Sequence, residues 1–246
     1  VKGIYLQNVI NDRIPSVSFG NIRFENAVLI GNNSRFDLYD SNFEGTYQNR
    51  NGVELYYCEN STVRNSSFSG YPLAGIALFN SLHNISIDNN NIYGNTNGIY
   101  CFSSTPIIKE NHIYDNSSCE IFVEGKYSCA YLDHNTGGAN IIESGTTFDK
   151  NALINIGRYG WMTLYYGENI INKSSHADYA MSFNRSLVAG QMIEAQHNNW
   201  GAEPTPASAF FYPDPASFNW IKYDEPIVEP RDGRSSFERA ITLESE

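Results

Sequence analysis

From residue 52 to residue 123 the chain repeats a short alternation of apolar and polar positions: G-V-E-L-Y, G-I-A-L-F, G-I-Y-C-F and E-I-F-V-E. Gly52, Gly75 and Gly98 stand 23 residues apart. The apolar positions behind them keep the same beat, first as Val53, Ile76, Ile99 and Ile121, then as Leu55, Leu78, Cys101 and Val123. Alternation over four or five residues reads as a half-buried strand. A fixed period in this range means stacked units. No stretch carries a helical stripe.

A second pattern, apolar-x-x-N-x-apolar, lies between these segments. It reads as Ile87/Asn90/Ile92, Ile108/Asn111/Ile113, Phe148/Asn151/Leu153 and Ala195/Asn198/Trp200. Poorer copies are Leu38/Ser41/Phe43, Val63/Ser66/Phe68 and Leu132/Asn135/Gly137. An Asn at a sharp turn bonds backbone groups through its amide, and its own backbone tolerates the left-handed region. Stacked turn upon turn, such residues form an asparagine ladder. Leucine-rich repeats need more leucines and a helical return, and a propeller blade needs a longer unit. The remaining solution is all-β: a single-stranded right-handed parallel β-helix with roughly 22–25 residues and three short strands per rung. Its hand follows the general rule for parallel crossovers. The chain has room for roughly eight to ten rungs.

Residues 1–50 read as two irregular rungs. From 136 to 184 the Asn spacing becomes uneven, and loops are expected there; an alignment with Met162 and Leu164 inside puts Tyr165 outside. After His197 the chain turns rich in Pro and Trp. Proline is excluded from central strands, and a solenoid must hide its open end. The expected division is therefore rungs over 1–200, a Pro/Trp-rich C-terminal cap over 201–228, and a linker or short terminal helix over 229–246. Val1 begins as if mid-domain, so a larger polypeptide is expected.

The rungs NISIDNNNIYGNTNGIYCF and PIIKENHIYDN resemble the parallel β-helix repeat of the pectin-lyase-like superfamily. HNNWGAEPTP followed by WIKYDEPIVEP resembles the end of β-helix domains in secreted and cell-surface bacterial proteins. The resemblance spans about residues 20–228 and implies an extracellular or cell-surface location. It implies no single activity, because the superfamily holds lyases, hydrolases, epimerases and adhesins. The clustered Asp residues of polygalacturonases are not matched. Nor are the basic set and calcium-binding carboxylates of pectate lyases, so no catalytic residue carries over.

Composition narrows the partners. Net charge is −11 with no basic stripe, which argues against nucleic acid. No run of 18 apolar residues exists to span a membrane as a helix. Cys58, Cys101, Cys119 and Cys129 lack metal spacing, and Cys101 reads as a buried core position. The five histidines (His83, His112, His134, His176, His197) show no zinc pattern. No cofactor is expected; calcium at Asp115 and Asn116 has no motif behind it.

The inward columns define the outward ones. Tyr56, Phe79, Tyr100, Phe102 and Phe122 are expected on one outer face, a candidate platform for a polysaccharide or a protein ligand. Carboxylates for general acid–base work are Glu54, Glu120 and Glu124 beside that face. Glu110 and His134 share a column elsewhere, with Asp88 nearby. The leading expectation is a non-catalytic binding module. The alternatives are a polysaccharide lyase or glycoside hydrolase working in a groove along the helix, and a purely structural spacer.

Overall fold

The computed structural model describes residues 2–9, 17–25, 27–45, 50–133, 138–183, 193–196, 198–200, 211–212 and 221–222. Among them the chain is a parallel β-helix. One sheet has nine strands and two sheets have seven each, and every strand pairs with its counterpart one turn away. Seven complete three-stranded turns run from Lys2–Gln7 to Ile170–Asn172, and Ala177–Phe183, Ile193–Glu194, Phe211–Tyr212 and Ile221–Lys222 extend the stack. Residues 1–50 supply two of these turns, as the pattern predicts.

The 23-residue beat sets the register of the first sheet. Val53 pairs with Ile76, Ile76 with Ile99 and Ile99 with Ile121. Leu55, Leu78, Cys101 and Val123 form the next column. All eight are fully buried. Each large aliphatic chain removed from water in this way stabilises the fold by about 1.5–3 kcal/mol. Met162 and Leu164 are also inside, while Tyr165 is outside. The cysteines are free thiols.

The corner between the second and third sheets divides its work between two adjacent residues. The first takes the left-handed conformation: Asp40, Asn65, Asn89, Glu110, Ala139 and Glu168 have φ of 48°, 51°, 50°, 57°, 51° and 52°. The second turns inward and builds the ladder. The expected single Asn performing both tasks is thus two residues. Ser41 N donates to Ser66 Oγ at 3.1 Å and Ser66 N to Asn90 Oδ1 at 3.0 Å. Asn90 Nδ2 then donates to Asn111 Oδ1, and Asn111 Nδ2 to Asn140 Oδ1, both at 3.0 Å. Asn140 donates to Asn169 and Asn169 to Asn198, both at 2.8 Å. These amides satisfy corner backbone groups that would otherwise be buried without partners.

Asn151 is not in this ladder. It is exposed, as is Phe148, and the rung positions are Asn140 and Asn169. The step lengthens from 21 residues between Asn90 and Asn111 to 29 from Asn111 to Asn140, and stays there to Asn198. A reading frame set on the shorter beat slips at that point. Asn135 and Gly137 lie outside the described residues. Of the expected cap, 201–228, only Phe211, Tyr212, Ile221 and Lys222 are described, and 229–246 lies wholly outside. Trp200 is buried with its ring 5.0 Å from that of Phe211.

Candidate functional site

The outer face of the first sheet carries the aromatic residues that the pattern predicts. Alternation turns Val53 and Leu55 inward, so Glu54 and Tyr56 face outward, and each later rung repeats this. Ala77, Tyr100 and Phe122 continue the column of Glu54, while Phe79, Phe102 and Glu124 continue that of Tyr56. Tyr56 stacks on Phe79 with centroids 4.7 Å apart and planes 10° from parallel. Phe79 meets Tyr100 edge-on at 5.8 Å, and Tyr100 meets Phe122 edge-on at 5.5 Å. Such pairs stabilise by about 0.5–1.5 kcal/mol beyond area burial. Four of the rings are half-buried, and Phe102 is 38% exposed.

Two carboxylates are built into this face. Glu54, nearly buried, accepts from Asn51 Nδ2 at 3.1 Å and from the Tyr56 hydroxyl at 3.1 Å. Glu124 accepts from the Tyr100 hydroxyl at 2.6 Å. Burial and the adjacent carboxylate push the Tyr56 phenol up to about 12, and burial raises that of Tyr100 further still. Glu54 and Glu124 are three rungs apart, about 14 Å at ~4.8 Å per rung. A glycosidase pair needs roughly 5–10 Å. In the rung beyond, Gly157 lies against the last residues of the face; a Cβ there would stand 2.8 Å from Glu124 Cβ and 2.9 Å from the Phe122 ring.

Glu120 does not share this face. It stands in the column of Gly75 and Gly98, flanked by the register pairs Asn97–Cys119 and Ile99–Ile121, but its side chain turns inward and is fully buried. Its carboxylate is ion-paired to Lys150 and takes N–H bonds from Asn116. The expectation that Glu120 lies close to Glu124 in one groove is corrected by this inward turn. Alternation fails at the strand entry, where the backbone already aims this column inward: a Cβ on Gly98, one rung earlier, would face Ile113 Cγ2 and Asn116 Nδ2, and Glu120 follows the same direction to its buried partners.

The other expected residues are dispersed. Asp88 pairs with Lys109 at 2.9 Å. Glu110 lies on a separate open groove of about 920 Å³ along the second corner, which Asn21, Arg23, Asp40, Asn65, Asn89 and His112 also line. His134 lies outside the described residues. Asp115 is held by Thr147, whose backbone N–H donates at 2.9 Å and whose hydroxyl donates at 2.5 Å, and Asn116 is buried in a second ladder below Asn95. Among the described residues no three His, Cys, Asp or Glu side chains gather to hold a metal ion. No helix among them is long and apolar enough to cross a membrane.

Sequence reasoning missed three exposed tyrosines at the corner that follows the first sheet. Tyr57, Tyr127 and Tyr159 are 60%, 70% and 47% exposed, with φ of 53°, 68° and 64°. Lys126 lies 4.9 Å over the Tyr127 ring and Arg158 4.8 Å over that of Tyr159. The signal was present as G-K-Y at 125–127 and G-R-Y at 157–159. Gly125 N donates to Arg158 O at 2.9 Å, so the two corners are stacked.

A family model described as "Right handed beta helix region" matches residues 2–136. Comparison with curated proteins and with solved structures returns no match.

Proposed function

The chain belongs to the right-handed β-helix family, and from that premise we propose that it is a non-catalytic module of a secreted or cell-surface protein that binds neutral glycan through the aromatic face of its first sheet. The observation that carries this reading is the run Tyr56, Phe79, Tyr100, Phe122, each ring in contact with the next, beside the exposed Phe102. A sugar ring offers an apolar face and a hydroxyl-bearing edge. Aromatic rings suit the first and the tyrosine–carboxylate pairs suit the second. The net charge of −11 disfavours acidic polysaccharides. The separation of Glu54 from Glu124, each already bonded to a tyrosine, favours binding over hydrolysis.

Affinity electrophoresis in gels containing neutral or acidic polysaccharides tests this. Retardation by a neutral glycan is expected, weakened about tenfold (~1.4 kcal/mol) in Phe102→Ala and Tyr100→Ala with folding retained. Binding that survives both substitutions overturns the platform. Turnover of a polysaccharide that Glu124→Gln abolishes would replace it with a catalytic reading.

A further inference from the structure

At the corner between the third and first sheets, the second amide ladder ends in a different chemistry. Asn95 N and Nδ2 both donate to Asn116 Oδ1 at 3.0 Å. The next rung should supply another carboxamide oxygen to Asn116. Glu120 supplies a carboxylate oxygen in its place: Oε2 accepts from Asn116 N at 3.3 Å and from Asn116 Nδ2. The other oxygen, Oε1, accepts from Lys150 Nζ, which also donates to the Asn116 backbone carbonyl at 2.5 Å. The Lys150 and Glu120 side chains are 0% exposed, and Asn116 is fully buried. One carboxylate therefore bridges an amine and a carboxamide nitrogen in a fully buried site, while two N–H groups hold the carboxamide oxygen.

We infer that this cluster is a self-modification site, in which Lys150 Nζ attacks Cγ of Asn116 to form an intramolecular isopeptide bond and expel ammonia, with Glu120 carrying the protons. Glu120 takes a proton from the Lys150 ammonium, and the freed amine adds to Cγ. The carbonyl electron pair moves to Oδ1, where the two Asn95 donors stabilise it as in an oxyanion hole. Glu120 then passes its proton to Nδ2, the Cγ–Nδ2 bond breaks as C=O re-forms, and ammonia leaves. The new amide nitrogen returns its surplus proton to Glu120. Five exchangeable protons enter and five leave: one on the amide, three on ammonia, one on the carboxyl.

The driving force is the removal of a buried ion pair, whose desolvation is costly; a neutral amide beside a neutral acid replaces it. Burial raises Glu120 to about 7, against the pull of Lys150, so it can both accept and return a proton near neutral pH. Holding Lys150 Nζ on one oxygen of the Glu120 carboxylate and Asn116 Nδ2 on the other keeps amine and carboxamide on one short relay, which supplies further acceleration. The bond would staple residue 116 to the next first-sheet strand, Lys150–Ile156, across the place where the repeat lengthens.

Intact-mass measurement of the folded full chain under denaturing conditions tests the proposal. The mass is expected to fall one ammonia below that of the sequence, with a protease-resistant branched peptide joining residues 116 and 150. Glu120→Gln and Lys150→Arg are expected at their full sequence masses. A wild-type chain at full mass after prolonged incubation overturns the proposal and leaves an ion pair only. Loss of water rather than ammonia overturns Asn116 as the electrophile and assigns the bond to Glu120. Loss of ammonia that persists in Lys150→Arg also overturns it. The wild-type mass and its branched peptide decide the matter whether or not the variants fold.

Discussion

The hydroxyl of Tyr100 donates to Glu124 Oε1 at 2.6 Å, one rung further along the solenoid, whereas Tyr56 bonds Glu54 within its own strand at 3.1 Å. One bond ties neighbouring rungs together and the other ties only a strand to itself. Tyr100→Phe should therefore cost about 1–2 kcal/mol, and Tyr56→Phe less. Urea unfolding midpoints would rank them.

The same phenols make stability depend on alkaline pH. The Tyr56 hydroxyl is raised to about 12 in the fold, against about 10 in the unfolded chain. Its contribution is complete below about pH 10 and is lost as pH rises through about 12, because the unfolded state releases its proton first. Absorbance titration of the phenolates should show Tyr56 and Tyr100 ionising well above the ordinary tyrosine value of about 10. Ionisation of both at the ordinary value, as reported by their loss in Tyr56→Phe and Tyr100→Phe, would contradict the hydrogen-bonded face.

Asn111→Ala should be among the most damaging single changes. Its amide accepts from Asn90 N and Nδ2 and donates to Ile87 O and Asn140 Oδ1, all in the interior. Each buried group left unpaired costs about 1–3 kcal/mol. Asn151→Ala, at an exposed strand position, should change stability by less than ~0.5 kcal/mol. Equal effects by denaturant titration would mean the ladder has been placed in the wrong register.

Lys150→Met would leave the Glu120 carboxylate buried without its cation, at a cost of about 3–5 kcal/mol near neutral pH. Burial raises the carboxyl above its unfolded value of 4.5. The protonated form then holds the fold at low pH, and stability is lost as pH rises through the raised value. The variant should recover stability on acidification from pH 8 to pH 5; a flat profile would place Glu120 in water.

Gly98→Ala and Gly94→Ala separate close packing from backbone conformation. A Cβ on Gly98 would stand 2.5 Å from the Glu120 carbonyl oxygen and 2.6 Å from Ile113 Cγ2, neither of which can move without shifting a strand. About 3 kcal/mol is expected. At Gly94 the nearest atom is 3.9 Å away but φ is +63°, so only the left-handed strain of about 1 kcal/mol applies. Thermal midpoints of the two variants should differ accordingly.

The alternation between Gly52 and Val123 already contained the first sheet, its inward columns and, by exclusion, its aromatic face, because strand periodicity is local and each turn repeats the last. The ladder was legible as far as Asn111, where rungs keep nearly constant length, and again at its last member, Asn198. Between them, Asn140 and Asn169 were hidden by the longer step, since periodicity carries no information about where a loop absorbs extra residues. The exposed tyrosines at 57, 127 and 159 were passed over because each follows a strand rather than lying in one.

Local patterning alone therefore determined the architecture, the register of the central rungs and the identity of the outward rings. Only the tertiary structure decided where Glu120 points. By alternation it belongs outside with Phe122 and Glu124. The backbone at the strand entry aims its column into the core, and a buried amide from Asn116 and an ammonium from Lys150, the latter 30 residues away in sequence, receive it there. That outcome depends on partners that no period in the sequence connects.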